Sequence, residues 1–343
     1  MIEGQSGRRT IPGESRGTDY GVGLSMELEV AGQRGLRISE SERNLEKADA
    51  FFRDFQRTFR AKLARAFYRA VFARSRLEFL RRVEGLNLRL LKVTRVKFEA
   101  GDISGLEVNV SVVRHGQSRK ETLDGERDLA QALLKLKRLV GIEETLLPTG
   151  DLGVTVPPVQ PNEILDRAMA NRADLLAKRH ELQRADAEIA LRKREIFPNP
   201  TLGVLYDREF TGERFVGGRL SIPLPIFNRQ QGELGSLDAR RIQARAELSA
   251  LEKEIRKEVD QAISQWDTAR KSIDFFQREM IEQTEENFRL LEAAYRERRI
   301  DLPRLLIMEN DLIAANQSYL EIRHSLQEVA IRIEEVSGVL PKP

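Results

Sequence analysis

The sequence predicts a mainly α-helical protein with membrane-spanning β-strands, built from two tandem repeats of strands followed by a long antiparallel coiled-coil helical hairpin. Three observations predict this fold class. Residues 24–30 (LSMELEV) recur 196 positions later as residues 220–226 (LSIPLPI). A long hydrophobic pattern of helical period follows each copy. The first copy also lies in a segment of strict apolar and polar alternation, which is the period of a β-strand with two different faces.

The composition limits the possible functions. The 343 residues are 41% hydrophobic but only 6% aromatic, which suits long helices with a narrow apolar seam. The 57 basic and 54 acidic residues are interspersed, so the one-signed stripe of a nucleic-acid partner is absent. The chain has no cysteine, which excludes disulfides and thiolate metal sites. No stretch of about 18 apolar residues occurs, which excludes a transmembrane helix.

The first predicted strand is residues 20–30. Its even-numbered residues are apolar, and its odd-numbered residues are small or acidic. This is about the length that a tilted strand needs to cross a bilayer, with its apolar face on lipid and its polar face on water. We therefore expect Ser25, Glu27 and Glu29 to line the lumen of a β-barrel.

The segment before this strand carries no predicted element. Residues 1–17 are polar and glycine-rich, and they lack the apolar stretch of a secretory signal. Judged against the second half, the first repeat (residues 1–147) is expected to lack its leading helix and its leading strand. The chain is therefore interpreted as N-terminally truncated, without its signal peptide.

Each repeat is expected to form one helical hairpin. In the first repeat a long helix at 36–100 is followed by a return helix at 106–140. In the second repeat a long helix at 230–300 is followed by a return helix at 304–337. Short breakers separate the two helices of each hairpin and are expected to form its tip. The tip residues are Gly101, Asp102 and Ser104 in the first repeat and Arg298, Arg299 and Asp301 in the second.

The two long helices share a packing pattern. Apolar residues follow one another at steps of three and four, which marks the seam of helices that pack side by side. An extra four-residue step occurs from Phe59 to Leu63 and again, at the same offset, from Ile255 to Val259. Such a stutter locally relaxes a supercoil. Its repetition indicates that the two helices occupy equivalent places in the fold.

The second repeat (residues 148–343) contains more elements before its long helix. They are a proline- and glycine-rich linker at 146–161, a helix at 162–195, and two strands at 201–207 and 216–224. In the last strand, Arg219 and Ser221 are placed on the polar, lumen-lining face.

No constellation of catalytic residues is present, so we expect no enzyme activity, no cofactor and no resident metal. The three histidines, His115, His180 and His324, lack the close spacing of a metal site. Glu27 and Glu29 could suggest acid–base chemistry, but no nucleophile or base accompanies them. A soluble coiled-coil scaffold remains an alternative to a membrane protein, although a scaffold has no use for a strand of bilayer length. A non-functional fragment is the other alternative.

Four segments resemble the TolC family of outer-membrane efflux ducts. They are LEVAGQR at 28–34, RADL at 172–175, FPNPTL at 197–202 and LPIFNRQQG at 224–232. The last segment is most similar to the CzcC-like cation-efflux branch of that family. With the internal duplication, the resemblance covers nearly the whole chain.

The resemblance implies a homotrimer whose copies share one β-barrel in outer-membrane lipid and one α-helical tunnel in the periplasm. Such a duct is a passive exit of a tripartite efflux pump. Its partners are a periplasmic adaptor (membrane fusion) protein and an inner-membrane pump of the RND type. The expected cargo is a heavy-metal cation or a small molecule.

The resemblance also implies a role for the two hairpin tips. In the family the tips contact the adaptor and narrow the periplasmic mouth of the tunnel. We carry this role to the six tip residues named above. A ring of three Asp102 or three Asp301 carboxylates would attract a passing cation. The alternative is that these residues only form turns, with Gly101 and Pro303 ending helices and Asp301 capping the next one.

Overall fold

The computed structural model describes residues 2–9, 17–144, 147–153, 160–209, 212–226, 229–279, 284–297 and 299–338. Within these residues the strands are β1 Ile2–Arg9, β2 Gly17–Glu27, β3 Thr201–Arg208 and β4 Arg214–Ser221. The helices are α1 Gln33–Glu99, α2 Gly105–Val140, α3 Pro161–Asn171, α4 Ala173–Arg194, α5 Gln231–Glu279, α6 Thr284–Arg296 and α7 Leu302–Ser337. The expectation of a mainly helical chain with strands in both repeats is confirmed.

The four strands form one antiparallel sheet in the order β1-β2-β3-β4. The expected absence of a strand before residue 20 is wrong, because β1 pairs with β2 from Ile2 opposite Leu24 to Arg9 opposite Gly17. The segment IEGQSGRR has no regular apolar alternation, so its sequence gives no strand signal. β1 is held in place by backbone hydrogen bonds to β2, which do not depend on the side chains of β1.

The end of β2 differs from the predicted strand at 20–30. The last strand pair is Glu27 opposite Thr201, and Leu28 then donates its N–H to the Pro200 carbonyl at 2.9 Å. Proline has no N–H to return, so the ladder stops there. Glu29 consequently lies outside the strand, where it forms an ion pair with Arg37 of α1 at 2.9 Å.

Two predicted helices are divided in the structure. The helix expected at 162–195 is interrupted at Arg172, whose backbone is extended (φ −64°, ψ 119°) between α3 and α4. The helix expected at 230–300 is described as α5 and α6, and residues 280–283 lie outside the described residues. None of the helices described is both long and apolar enough to span a bilayer.

The chain packs as two compact units. Unit 1 comprises Met1–Phe52 and Ala173–Glu252, and unit 2 comprises Arg53–Arg172 and Lys253–Pro343. Each unit therefore combines segments of both sequence repeats. The boundary between the repeats near residue 147 is not a boundary between compact units.

Unit 1 contains the sheet and the helices next to it. Ion pairs between helices are prominent here, for example Lys47–Glu181 at 3.0 Å and Lys178–Glu247 at 2.5 Å. The hydrogen bond to Glu247 is the main cause that raises the pKa of Lys178, so this lysine stays charged. The interspersed charges of the sequence thus link neighbouring helices.

Unit 2 has an apolar core along the helical seams. Ala66, Ala70 and Ala73 of α1 pack against Ala132 and Leu136 of α2, and the small side chains allow the helices to approach closely. The corresponding seam of α5 is buried at Ile255, Val259, Ala262, Trp266, Ala269 and Ile273. Phe52 and Phe55 precede Phe59 at steps of three and four, so the same pattern predicts them on the seam, but they are 58% and 61% exposed.

Candidate functional site

The first hairpin tip is a helix C-cap followed by a new helix start. The Asp102 N–H donates to the Lys97 carbonyl at 2.8 Å, and the Gly101 N–H donates to the Phe98 carbonyl at 2.9 Å. Gly101 has φ +75°, so the pair of bonds is a Schellman motif with glycine at its left-handed position. Ser104 is the N-cap of α2, but its side chain makes no capping hydrogen bond.

The second tip repeats this arrangement 197 residues later. The Arg299 N–H donates to the Ala294 carbonyl at 2.8 Å, which is the counterpart of the Asp102–Lys97 bond. Asp301 is the N-cap of α7, as Ser104 is of α2, and its Oδ1 accepts the Arg304 N–H at 3.0 Å. Arg298 lies outside the described residues. The turn role predicted for Gly101 and Asp301 is therefore confirmed.

Lys97 links the two tips. Its Nζ donates to the Tyr295 carbonyl at 3.0 Å and lies 4.2 Å from the centre of the Tyr295 ring. Because Lys97 is in the last turn of α1, its charge also complements the carbonyl end of that helix. Sequence reasoning did not single out this lysine. Its position in the last turn of a helix before a tip was the available signal.

Charged side chains line a recess at the joined tips. The lining includes Asp102, Glu107, Arg299, Asp301 and Arg304, together with Lys97 and Tyr295. Tyr295 is 3% exposed and its hydroxyl makes no hydrogen bond within the described residues. Burial first, and the Glu107 charge second, raise the pKa of this phenol. The recess at the tips is thus lined by carboxylates and guanidinium groups and also by apolar side chains.

One face of the sheet is exposed and carries most of the apolar residues of β2, β3 and β4. On this face β1 adds Ile2 but also the polar Ser6 and Arg8. Val22, Val204 and Val216 are 58%, 62% and 71% exposed. Register places apolar residues side by side on this face, with Leu24 opposite Val204 and Met26 opposite Leu202. Nothing among the described residues covers this face, which is the expected arrangement for a face in contact with lipid.

The opposite face of the sheet carries most of the polar residues of the strands, together with Leu205 and Phe215. Gln5 donates to Asp207 at 3.4 Å, and Arg219 lies 3.6 Å from the Glu3 carboxylate. Ser25, Gly203 and Arg219 are on one cross-strand row, and Glu27, Thr201 and Ser221 are on the next. Ser25, Glu27, Arg219 and Ser221 thus lie on the same face of the sheet, and their lining of a lumen stays a prediction.

The strand-to-helix junctions contain a repeated cap that the sequence analysis missed. The Gln33 side chain accepts the Ala31 N–H at 2.9 Å, and the Gln231 side chain accepts the Arg229 N–H at 2.9 Å. Each glutamine begins a long helix and follows a residue with positive φ, Gly32 in one repeat and Gln230 in the other. A glutamine at the start of each long helix, 198 positions apart, was the available signal.

Gln33 is fully buried and joins the junctions of both repeats. Its Nε2 donates to the Asn199 side chain at 2.8 Å, and Asn199 donates in turn to Glu27 at 2.8 Å. Glu27 therefore has a positioning role at the end of the sheet in addition to its place on the polar face. The described residues contain no group of three or more acidic, histidine or cysteine side chains that could hold a metal ion.

Comparisons with known proteins agree with this architecture. The chain is 23% identical over 318 residues to the cobalt-zinc-cadmium resistance protein CzcC of Cupriavidus metallidurans, covering 92% of this chain and 76% of that protein. The crystal structure of CusC aligns with a TM-score of 0.82 at 17% identity, over 99% of this chain and 82% of that one. The outer membrane protein VceC of Vibrio cholerae aligns with a TM-score of 0.79 at 14% identity, over 99% and 86%.

These two alignments show that the chain shares the fold of CusC and of the outer membrane protein VceC. The model of the outer membrane efflux protein family matches residues 4–142 and 164–339. The chain belongs to the outer membrane efflux protein family, and it is an efflux duct of the outer membrane. The resemblance to TolC-type ducts, including the CzcC-like branch, is confirmed.

Proposed function

We propose that this protein is the passive exit duct of a tripartite efflux pump, that it works as a homotrimer, and that it conducts heavy-metal cations. The observation that carries the proposal is the one-sided sheet. A sheet that exposes a continuous apolar face and gathers polar groups on the other face separates lipid from water. A soluble scaffold would bury that apolar face.

The open edges of the sheet support a homotrimer. Within the described residues, β1 and β4 each have only one neighbouring strand. Unpaired strand edges are not tolerated in lipid, and a barrel removes them by closure. Four strands are too few to close around a channel, so several copies must contribute to one barrel.

The curvature of the sheet supports closure with the polar face inside. Arg219 of β4 lies 3.6 Å from Glu3 of β1, although two strands separate β1 from β4. Side chains can meet over that separation only when the polar face is concave. Glycines at positions 21, 23, 203 and 217 lie on this face. Added Cβ atoms would crowd neighbouring groups at three of them, for example Gly203, where the Leu24 carbonyl oxygen would lie at 3.2 Å.

The relationship to CzcC supports heavy-metal cations as the cargo. The chain itself offers no group of metal ligands within its described residues, so a cation would pass through and would not be held. Carboxylates on the polar face and at the tips would attract such a cargo. The acidic Asp102 and Asp301 have this role in addition to their roles in the turns.

The hairpin tips are the proposed contact with the periplasmic adaptor, which passes cargo on from an inner-membrane RND pump. Gly101, Asp102, Ser104, Arg299 and Asp301 are exposed at one end of unit 2. Arg298 is included in this proposal from its sequence position alone. Matching helix ends at the two tips would give an adaptor two similar docking places per chain.

Metal tolerance of a host bacterium tests the proposal. A strain without this gene is expected to stop growing at lower cobalt, zinc or cadmium concentrations than its parent, and the intact gene should restore growth. Organic antibiotics serve as the control cargo. If the strain without the gene had unchanged metal tolerance but increased antibiotic sensitivity, heavy-metal cations would be refuted as the cargo. The proposal of an efflux duct would still stand. Absence of a trimer in the outer-membrane fraction would refute the duct.

A further inference from the structure

The internal duplication specifies how one copy of the sheet pairs with the next. Each repeat contributes one hairpin of strands, β1-β2 and β3-β4. Within the chain, the second strand of the first hairpin pairs with the first strand of the second hairpin. If equivalent strands pair in equivalent ways, β4 pairs with β1 of the partner subunit as β2 pairs with β3.

The offset between equivalent residues follows from two registers. The sequence repeat relates β2 to β4 by 196 positions, so Leu24 corresponds to Leu220. Ile2 lies opposite Leu24, and Leu202 lies opposite Leu220. Ile2 therefore corresponds to Leu202, and β1 is related to β3 by 200 positions.

With these offsets, the register of β4 on the partner subunit's β1 follows from the register of β2 on β3 within one chain. Tyr20 lies opposite Arg208 within the chain. The equivalent of Tyr20 is Val216, and the equivalent of Arg208 is Arg8. We infer that β4 pairs antiparallel with β1 of the partner subunit in the register that sets Val216 opposite Arg8 of the partner subunit. Arg219 then lies opposite the partner's Gln5, and Ser221 lies opposite the partner's Glu3.

The two faces of the strands are consistent with this register. Arg219 and Ser221 are on the polar face of β4, and Glu3 and Gln5 are on the polar face of β1. In this register the lipid face of β1 carries Ser6 and Arg8 beside Ile2. A slip by one residue would turn Glu3 and Gln5 to lipid, so only slips by two residues compete. Charge also agrees, because Arg219 would lie diagonally across from the partner's Glu3, within reach of a long side chain.

The hydrogen-bond pattern identifies which pairs can be cross-linked. The Leu28 N–H donates to the Pro200 carbonyl, so the even-numbered residues of β2 form hydrogen-bonded pairs with β3 and the odd-numbered residues form non-hydrogen-bonded pairs. By equivalence, Arg219 and Ser221 form non-hydrogen-bonded pairs with β1 of the partner subunit. In such pairs the opposite Cα atoms are about 4.5 Å apart. That separation lies within the range that a disulfide spans. The chain contains no cysteine, so introduced cysteines can form disulfides only with one another.

Four cysteine substitutions, combined into four double variants, test the register. The matched variants are Gln5→Cys with Arg219→Cys, and Glu3→Cys with Ser221→Cys. The shifted variants recombine the same substitutions as Gln5→Cys with Ser221→Cys, and Glu3→Cys with Arg219→Cys. After oxidation of the outer-membrane protein, we expect at least fivefold more covalent dimer and trimer from each matched variant than from either shifted one.

The inference rests on the proposed function, and the outcomes separate the two. The assembly of the unaltered protein is measured first by light scattering in detergent. A trimer whose shifted variants cross-link as well as the matched ones overturns the register and leaves the duct unaffected. A protein that forms no trimer overturns the proposed duct. If Arg219→Cys prevents assembly, the Glu3 and Ser221 variant decides the register, because it keeps Arg219.

Discussion

At the scale of single residues, the two N-caps of the return helices differ although their backbone positions are equivalent. The Asp301 side chain accepts the Arg304 N–H, whereas the Ser104 side chain makes no capping bond. Asp301→Ala should therefore destabilise the start of α7 by about 1 kcal/mol, and Ser104→Ala should leave α2 almost unchanged. Hydrogen exchange in the first turn of each helix measures this effect. Equal acceleration in the two variants would contradict it.

Two buried carboxylates of α7 have opposite responses to pH. Burial is the main cause that raises the pKa of Glu309 above its ordinary value of 4.5, despite Arg114 and the hydrogen bond from Asn87. Burial acts in the same direction on Glu335, but its contacts with Arg65 and Arg332 outweigh it and lower the pKa. The two side chains thus form a matched pair for substitution by glutamine.

The stability of the two glutamine variants should change with pH in opposite directions. The contribution of Glu309 is fully present below its unfolded pKa and is lost as pH rises through its folded pKa. Glu309→Gln, which stays neutral, should therefore gain stability relative to the unaltered protein as the pH rises from the ordinary carboxyl pKa of 4.5 to neutral.

Glu335 contributes stability above its unfolded pKa, and this contribution is lost as pH falls through its folded pKa. Glu335→Gln should therefore be least stable, relative to the unaltered protein, at neutral pH, with the difference shrinking as the solution becomes acidic. Thermal unfolding midpoints across the same pH range measure both variants. Parallel pH profiles for Glu309→Gln and Glu335→Gln would contradict the assignment.

At the scale of elements, the two return helices end in equivalent glycines with different surroundings. Gly141 ends α2 with φ +77° and Gly338 ends α7 with φ +75°. A Cβ atom would meet nothing within 4 Å at Gly141, whereas at Gly338 it would lie 2.8 Å from the backbone nitrogen of Arg172. The end of α7 is therefore packed directly against the break between α3 and α4.

Alanine at these two glycines should separate conformational strain from steric conflict. Gly141→Ala should cost about 1 kcal/mol, because only the left-handed backbone is disfavoured. Gly338→Ala should cost clearly more, because backbone atoms must also move. Urea unfolding of the two variants in the same detergent compares them. Equal midpoints would show that α7 does not need its close contact with Arg172.

At the scale of the whole molecule, assembly in the membrane should depend on which face of the sheet is altered. Leu220 is 63% exposed on the apolar face, and the adjacent Ser221 lies on the polar face. Leu220→Arg should destabilise the membrane-inserted protein by about 2 kcal/mol or more, and Ser221→Arg should be tolerated. The amount of heat-resistant oligomer in the outer-membrane fraction measures this. Equal loss in both variants would contradict the two-faced sheet.

The hairpins show how far sequence reasoning reached. The breakers at Gly101 and Asp301 were found because glycine and helix-capping residues leave local signals. The link from Lys97 to Tyr295 was not found, because the two residues are 198 positions apart and only folding brings them together. The same holds for the Gln33 network, which joins residues of both repeats.

The sequence by itself determined the duplication, the helical seams, the alternating strands and the family. The seams and strands depend on periodicity along the chain, and the duplication and the family depend on recurring or characteristic short segments. Folding alters neither. Only the tertiary structure decided that residues 2–9 form a strand, since backbone pairing with β2 creates it without any side-chain pattern. Tertiary contacts also decided where the strand and helices stop, at Pro200 and Arg172. Those limits depend on neighbouring backbone and on the ion pair of the buried Arg172 with Glu258.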